Sequence, residues 1–372
     1  MLAELERHPH ARAVLASALT EDQPSHAYLF HGPGGAGKRA VARALAAELL
    51  AAGADDPEGA RQRVRSGAHP DLTWVVPSGA HEILVSDISG PVVAAASRTP
   101  FESARRVFVI ERVDELGDEA ANRMLKTLEE PASFVHLILL TDRLGEVLET
   151  IRSRCQLVRF EPLSDEQIAA GIEELGVDAA TALACVRLAL QDAGRARELG
   201  RDEGRALRAA AEKVARSALA GEVGTTRPWI ELLAAVRARG DASDTELQAM
   251  KVAELELTAR RERKRVETEW TERTRRGRRR VQTGMLDLGL QLVALWFADL
   301  AALAWGADDL IRNCDRLEEL RADARLDGGS DPDRLRAAIE LVEDTRLRFE
   351  LNVSEDLACE ALAYRLEQTL VR

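Results

Sequence analysis

Between Ala27 and about Phe160, short runs rich in β-branched, aromatic and leucine residues alternate with longer stretches whose apolar positions recur every three or four residues. The runs Ala27–His31, Leu72–Val76, Arg106–Ile110, His136–Thr141 and Gln156–Phe160 predict strands. Lys38–Leu50 and Asp118–Glu129 have helical spacing and end near Gly or Pro breakers. Strands alternating with helices in this way describe a parallel sheet wrapped by helices. After Pro162 the strand pattern stops. Ser164-Asp-Glu-Gln167 reads as a capping box, with Ser164 as N-cap and Gln167 reaching back to it. From there to Arg372 the pattern is helical, interrupted where Gly, Asp and Ser cluster at Gly221–Thr226, Arg239–Ser243 and Leu326–Asp333. The pattern predicts an α/β core over 1–161, a small helical domain over 162–205 and a larger all-helical domain over 206–372.

Composition narrows the class. At 372 residues and 46% hydrophobic the chain is too long for one ordinary domain and can bury a sizeable core. Aromatics at 4% and charged residues at 31% favour helices over sandwiches or barrels. Cys155, Cys185, Cys314 and Cys359 are scattered without a CxxC pair, which argues for a reducing cytoplasm and against a disulfide framework or zinc ribbon. No charge-free apolar run is long enough to span a bilayer, and the N-terminus lacks the apolar core of a signal peptide. A net charge of −12 and a pI near 5.3 argue against a chain that coats nucleic acid over its whole surface.

The sharpest chemical motif is Gly32-Pro33-Gly34-Gly35-Ala36-Gly37-Lys38, which follows a predicted strand and opens a predicted helix. In that setting glycines turn backbone N–H groups around a phosphate, the helix N-terminus adds positive potential, and the lysine reaches the outer phosphates. The alternative is a vestigial strand-to-helix turn. Arg39 adds weight to it, because the active pattern requires a Ser or Thr hydroxyl there to hold magnesium. The second core strand is also altered. An active enzyme ends it with an Asp for the metal and an adjacent Glu to orient water, whereas Arg106–Ile110 is followed by Glu111 and Arg112. An arginine stays protonated and cannot act as a general base. Asp114 and Glu115 are substitutes only if the register is shifted past the strand end.

The run Asn122-Arg-Met-Leu-Lys-Thr-Leu-Glu-Glu-Pro131, a strand ending at Thr141, and Thr150-Ile-Arg-Ser-Arg-Cys-Gln156 closely resemble the clamp-loader ATPases of the AAA+ family. With the glycine loop these motifs cover most of residues 25–160. The resemblance implies an AAA+ fold, with Thr141 in the sensor 1 position and Arg154 as an arginine finger acting in trans. Loss of the magnesium hydroxyl and the Asp-Glu pair, with the finger kept, resembles the delta-prime type rather than the gamma-type motor. A surface salt-bridge role is the alternative for Arg154. Leu295–Leu300, Asn313–Asp315, Leu351–Ser354 and Leu357–Leu362 resemble the helical collar of such chains, although ordinary helix-bundle core explains them equally well.

Several positions depart from the family. Ala51–Pro70 has no cysteine, so the four-cysteine zinc module of many relatives is expected to be absent, and His69 with Asp71 makes a poor metal site. The start, Met1-Leu-Ala-Glu-Leu5, lacks the aromatic-Gly-Gln segment that helps cover adenine in relatives. Arg195 falls near the sensor 2 position and is either a phosphate contact or an ordinary exposed arginine. Arg260–Arg280 is densely basic with interleaved glutamates. It reads as a solvated helix laced with i,i+4 pairs or, less simply, as a DNA-contact or docking segment.

The resemblance therefore implies a subunit of a five-membered loader with a degenerate site for ATP or ADP. Its partners would be gamma/tau motor subunits, a delta subunit, the beta sliding clamp and primed DNA. Two rivals remain open, an active gamma-type ATPase and a stand-alone DNA-binding module using Arg260–Arg280.

Overall fold

In the computed structural model the described residues are 5–6, 8–20, 23–77, 83–257, 263–326, 329, 331–349 and 353–371. Met1–Glu4, the Arg260–Glu262 part of the basic stretch and Leu351-Asn352 of the collar motifs lie outside them. The described chain forms two compact units, one of Met1–Pro162 with Leu247–Arg280 and one of Leu163–Glu246 with Val281–Arg372.

The first unit is built on five parallel strands, β1 (Ala27–His31), β2 (Leu72–Val75), β3 (Arg106–Ile110), β4 (Val135–Thr141) and β5 (Gln156–Arg159), in the spatial order β2-β3-β4-β1-β5. All five predicted strands form, within one residue at each end. Every residue of the central strand β4 is buried, as expected of a parallel strand covered on both faces. The two-residue period then divides the core. Tyr28, Phe30, Val107, Val109, Ile138 and Leu140 pack on one face against the helix Lys38–Ala51. Leu29, Phe108, Ile110, Leu137 and Leu139 pack on the other against Met124 and Leu128 of the helix Asp118–Glu129.

The described part of the basic stretch belongs to this unit as helix. Trp270 is buried there, and Arg280 donates to the Pro77 carbonyl at 3.1 Å and to Glu115 Oε2 at 2.6 Å. Pairs one helical turn apart, such as Arg275 with Glu272 at 3.0 Å, accompany it.

The second unit is helical. The capping box closes as expected, with Gln167 N donating to Ser164 Oγ at 3.3 Å and Ser164 N to Gln167 Oε1 at 3.0 Å. Residues on both sides of Arg205 share one apolar cluster, including Ile172, Leu199, Leu207, Leu290, Phe297 and Leu366. Several buried polar groups in this unit are tied to one another. Arg208 forks onto Asp315 at 2.6 and 2.9 Å and onto Asn313 Oδ1 at 2.9 Å, and Asp299 accepts from Asn313 N and Nδ2 at 2.8 Å each.

One expectation is overturned. The predicted interruption at Arg239–Ser243 does not occur, because a single helix runs Trp229–Leu257. Gly240 serves contact instead of breakage, since a Cβ on it would stand 2.7 Å from Gln282 Nε2. Among the described residues one helix, Trp270–Ala304, is long and apolar enough to cross a membrane by length and composition, but 72% of its apolar window is buried inside the fold, which is how a core helix passes that test.

Candidate functional site

The glycine loop leaves β1 at Gly32 and enters the helix Lys38–Ala51 through Gly37. Gly32, Gly35 and Gly37 have φ of 141°, 75° and 89°, which side chains with a Cβ resist. At Gly32 the constraint is doubled, because a Cβ would lie 2.3 Å from the Phe160 carbonyl oxygen. The turns of this loop therefore depend on glycine at these positions.

Its charges are turned inward. Lys38 Nζ pairs with Asp142 Oδ1 at 2.7 Å and donates to the carbonyls of Gly32 at 2.5 Å and Pro33 at 2.6 Å. An ammonium has three N–H donors, and all three have acceptors here. The side chain is 7% exposed. Sequence reasoning missed Asp142, although the sheet explains it. β1 and β4 run in parallel with His31 opposite Thr141, so the residue after Thr141 emerges beside the residue after His31.

Arg39 directs its guanidinium to Glu111, with Nε 2.8 Å from Oε1. Trp74 Nε1 donates to the same oxygen at 2.6 Å, and Arg43 lies over the Trp74 ring at 4.8 Å. Glu111 is 8% exposed, so the arginine supplies the positive charge that a buried carboxylate needs. In the active pattern a magnesium ion would do so. The residues thus fit a phosphate cradle and do not fit a magnesium site. Arg39 stands where the hydroxyl is required, and the acid at the end of β3 is already paired with it.

The loop after β3 is fastened from two sides. Arg112, in the left-handed region at φ 54°, pairs with Glu115, which also holds Arg280. Asp114 accepts from Thr141 Oγ1 at 2.7 Å and from Arg143 Nε at 3.2 Å. The shifted register that would nominate Asp114 and Glu115 as catalytic acids thus meets two carboxylates already engaged. Thr141 sits at the end of β4, next to the loop, with its hydroxyl on Asp114. Arg195, in the second unit, donates to Gln291 Oε1 at 2.5 Å and pairs with Asp287 at 3.4 Å. His69 and Asp71 are drawn into a loop clamp. Asp71 accepts the N–H groups of Phe101, Glu102 and Ser103 at 2.6, 2.9 and 3.0 Å, and His69 Nδ1 accepts that of Asp71 at 3.1 Å.

Arg154 lies elsewhere. It precedes β5, whose first residue Gln156 stands opposite Tyr28 of parallel β1, so it belongs to the edge where the strands begin. The glycine loop belongs to the edge where they end. A five-residue parallel strand separates the two edges by about 16 Å. Arg154 Nη1 donates to the Thr150 carbonyl at 2.8 Å and to Ser153 Oγ at 3.4 Å, while Nη2 pairs with Glu129 Oε1 at 2.6 Å. Its side chain is 34% exposed. Beside it, burial pushes the Cys155 thiol up to about 12, so this sulfur is a packing group and not a nucleophile.

Comparisons place these observations among known proteins. The profile of the family described as "DNA polymerase III, delta subunit" matches residues 7–164. Over 167 residues the chain is 37% identical to DNA polymerase III subunit delta' of Bacillus subtilis (strain 168), covering 44% of this chain and 50% of that protein. Over 153 residues it is 35% identical to subunit delta' of Pseudomonas aeruginosa, covering 40% of this chain and 47% of that one. It is 32% identical over 176 residues to subunit tau of Bacillus subtilis, covering 46% of this chain and 30% of that protein. The chain thus spans about half the length of the delta' relatives it matches. Among solved structures, a gamma subunit-related protein from Thermotoga maritima aligns over 96% of this chain and 97% of its own, at 15% identity and a TM-score of 0.40.

Proposed function

Because the chain is delta-prime-like over residues 7–164, with the P-loop α/β core of the AAA+ clamp loaders, we propose that it acts as a clamp-loader subunit with a silent nucleotide site. Its contribution to ATP hydrolysis is Arg154, offered in trans to an adjacent gamma/tau motor subunit. The observation that carries this reading is the separation of the two cations. Lys38 is consumed by Asp142 and the loop's own carbonyls at one edge of the sheet, while Arg154 stands part-exposed at the other. A guanidinium a full strand length from its own glycine loop has no route to a phosphate held there. Offered to a neighbour, it supplies a fixed cation to charge developing on a γ-phosphate, an effect worth roughly 10³–10⁵ in rate in related phosphoryl transfers.

In this reading ATP or ADP at the glycine loop is dispensable, residues 162–205 act as the lid and 206–372 as the collar. The assembly, with a delta subunit, loads the beta sliding clamp onto primed DNA in the cytoplasm. The rival motor reading requires Glu111 to hold a metal that Arg39 displaces. For the DNA-arm reading, Arg280 is 15% exposed and paired with Glu115, while Arg275 stays exposed and could still serve such a surface.

The test is steady-state ATP hydrolysis by a loader reconstituted with motor and delta subunits, clamp and primed DNA. Arg154→Ala should lower turnover sharply and Lys38→Ala should leave it nearly unchanged. Turnover by the isolated chain that is abolished by Lys38→Ala would replace this reading with the motor one.

A further inference from the structure

The helix Asp118–Glu129 returns the chain from the loop edge of the sheet to the edge where β4 and β5 begin. Its last residue, Glu129, is thereby delivered beside Arg154, which the sequence places 25 positions later. We infer that Glu129 is a positioning residue that aims the Arg154 guanidinium, an inference that rests on the finger reading above.

Three features of the geometry support it. First, the guanidinium is held from two directions, by Glu129 on Nη2 and by the Thr150 carbonyl on Nη1, which fixes the plane of the fork as well as its position. A single contact would leave the plane free to rotate. Second, the bonds to Glu129, Thr150 and Ser153 use three of the five N–H donors of an arginine, so the group can stay anchored while the remaining donors meet a phosphate. Third, both partners are part-exposed, at 34% and 47%, in contrast to the enclosed Lys38. A pair this wet orients without immobilising, and a multiply charged phosphate competes with a single carboxylate on favourable terms. Glu129 therefore restrains the rotamers of a long side chain before the neighbour's nucleotide arrives, which is the pre-organisation that electrostatic catalysis depends on.

The experiment uses the complete reconstituted loader and measures ATP turnover against ATP concentration for Glu129→Gln, Arg154→Ala and the double variant. Gln is isosteric and Glu129 is half-exposed, so folding should survive, and a thermal melt of each variant checks it. Glu129→Gln should lower kcat by roughly two- to fivefold, the factor a half-exposed ion pair carries, with KM for ATP unchanged. The loss should shrink as ionic strength rises. Glu129→Asp, which keeps the charge one methylene short, should recover part of it. In the Arg154→Ala background Glu129→Gln should add nothing, because its effect runs through the arginine. If Arg154→Ala lowers turnover and Glu129→Gln does not, the positioning role is wrong and the finger reading stands. An equal loss from Glu129→Gln with or without Arg154 also overturns the role. If Arg154→Ala itself has no effect, the finger reading fails and takes this inference with it.

Discussion

The two edges of one sheet use their cations in opposite ways. At the edge where the strands end, Lys38 is 7% exposed and fully bonded, and Arg39 is spent on Glu111. At the edge where they begin, Arg154 is one-third exposed and held by a single carboxylate with local backbone help. The first edge neutralises itself and keeps its shape. At the second, the arginine and its carboxylate both stand part-exposed, so the pair is open to competition from outside. Glycine geometry and internal ion pairs thus hold the loop in place by contacts within the chain itself.

The largest effect that would break this contrast comes from exchanges that conserve charge at each edge. Arg154→Lys keeps the cation but removes the planar fork, and the reconstituted loader should lose turnover by on the order of 10²-fold or more. Lys38→Arg should leave turnover little changed. Equal losses at both positions would mean that the glycine loop is catalytically engaged after all.

Next in size is a stability effect confined to the loop edge. Gly32→Ala forces a Cβ to within 2.3 Å of the Phe160 carbonyl oxygen at a φ of 141°. It should destabilise the chain by about 3 kcal/mol, combining backbone strain with a clash against main chain. Urea unfolding followed through Trp74, which packs beside Glu111, reads it. A midpoint that does not move would show that the loop relaxes freely and is not held by the sheet.

A smaller effect follows from releasing Lys38. Asp142→Asn removes the carboxylate paired with it and should raise the affinity for a fluorescent ADP analogue by up to about fivefold, the worth of one partly exposed ion pair. Unchanged affinity would mean that the two carbonyl contacts alone, or Arg39 next door, keep phosphate out.

Much of this arrangement can be read from sequence, and the parts that cannot have a common cause. The strands are legible because each is a short β-branched or apolar run between breakers, and the Ser164 cap because its partner lies three residues away. Arg154 is singled out by its motif, and its exposure and its pairing with Glu129 come from the structure. What escapes depends on long-range register. Asp142 meets Lys38 only because β1 and β4 pair in parallel, and Arg280 meets Glu115 across 165 positions. Gly240 misleads for a related reason. Locally it resembles a breaker, and only its approach to Gln282 explains a glycine inside a continuous helix.

The mildest prediction extends the contrast to the two units. All seven histidines, at positions 8, 10, 26, 31, 69, 81 and 136, fall before the second unit begins at Leu163. Burial lowers the pKa of His31, with His10, Arg159 and Lys38 adding to the shift. Burial lowers that of His69 as well, against the opposing pull of Glu102 and Asp71. A histidine whose folded pKa lies below its unfolded value stabilises the fold fully above the unfolded value, near 6.5, and loses that contribution as pH falls toward the folded one. In the second unit the sign reverses. Burial raises the pKa of Asp299 and Asp323, so each is less favourable to folding above its folded pKa and recovers as pH falls through it. Between pH 7 and pH 5 the first unit should therefore lose stability while the second holds or gains. Single-tryptophan variants retaining either Trp74 or Trp296 report the two transitions separately in urea. Midpoints that shift together on acidification would show that the units unfold as one, and would remove the basis for treating the α/β unit as independently sensitive to acid.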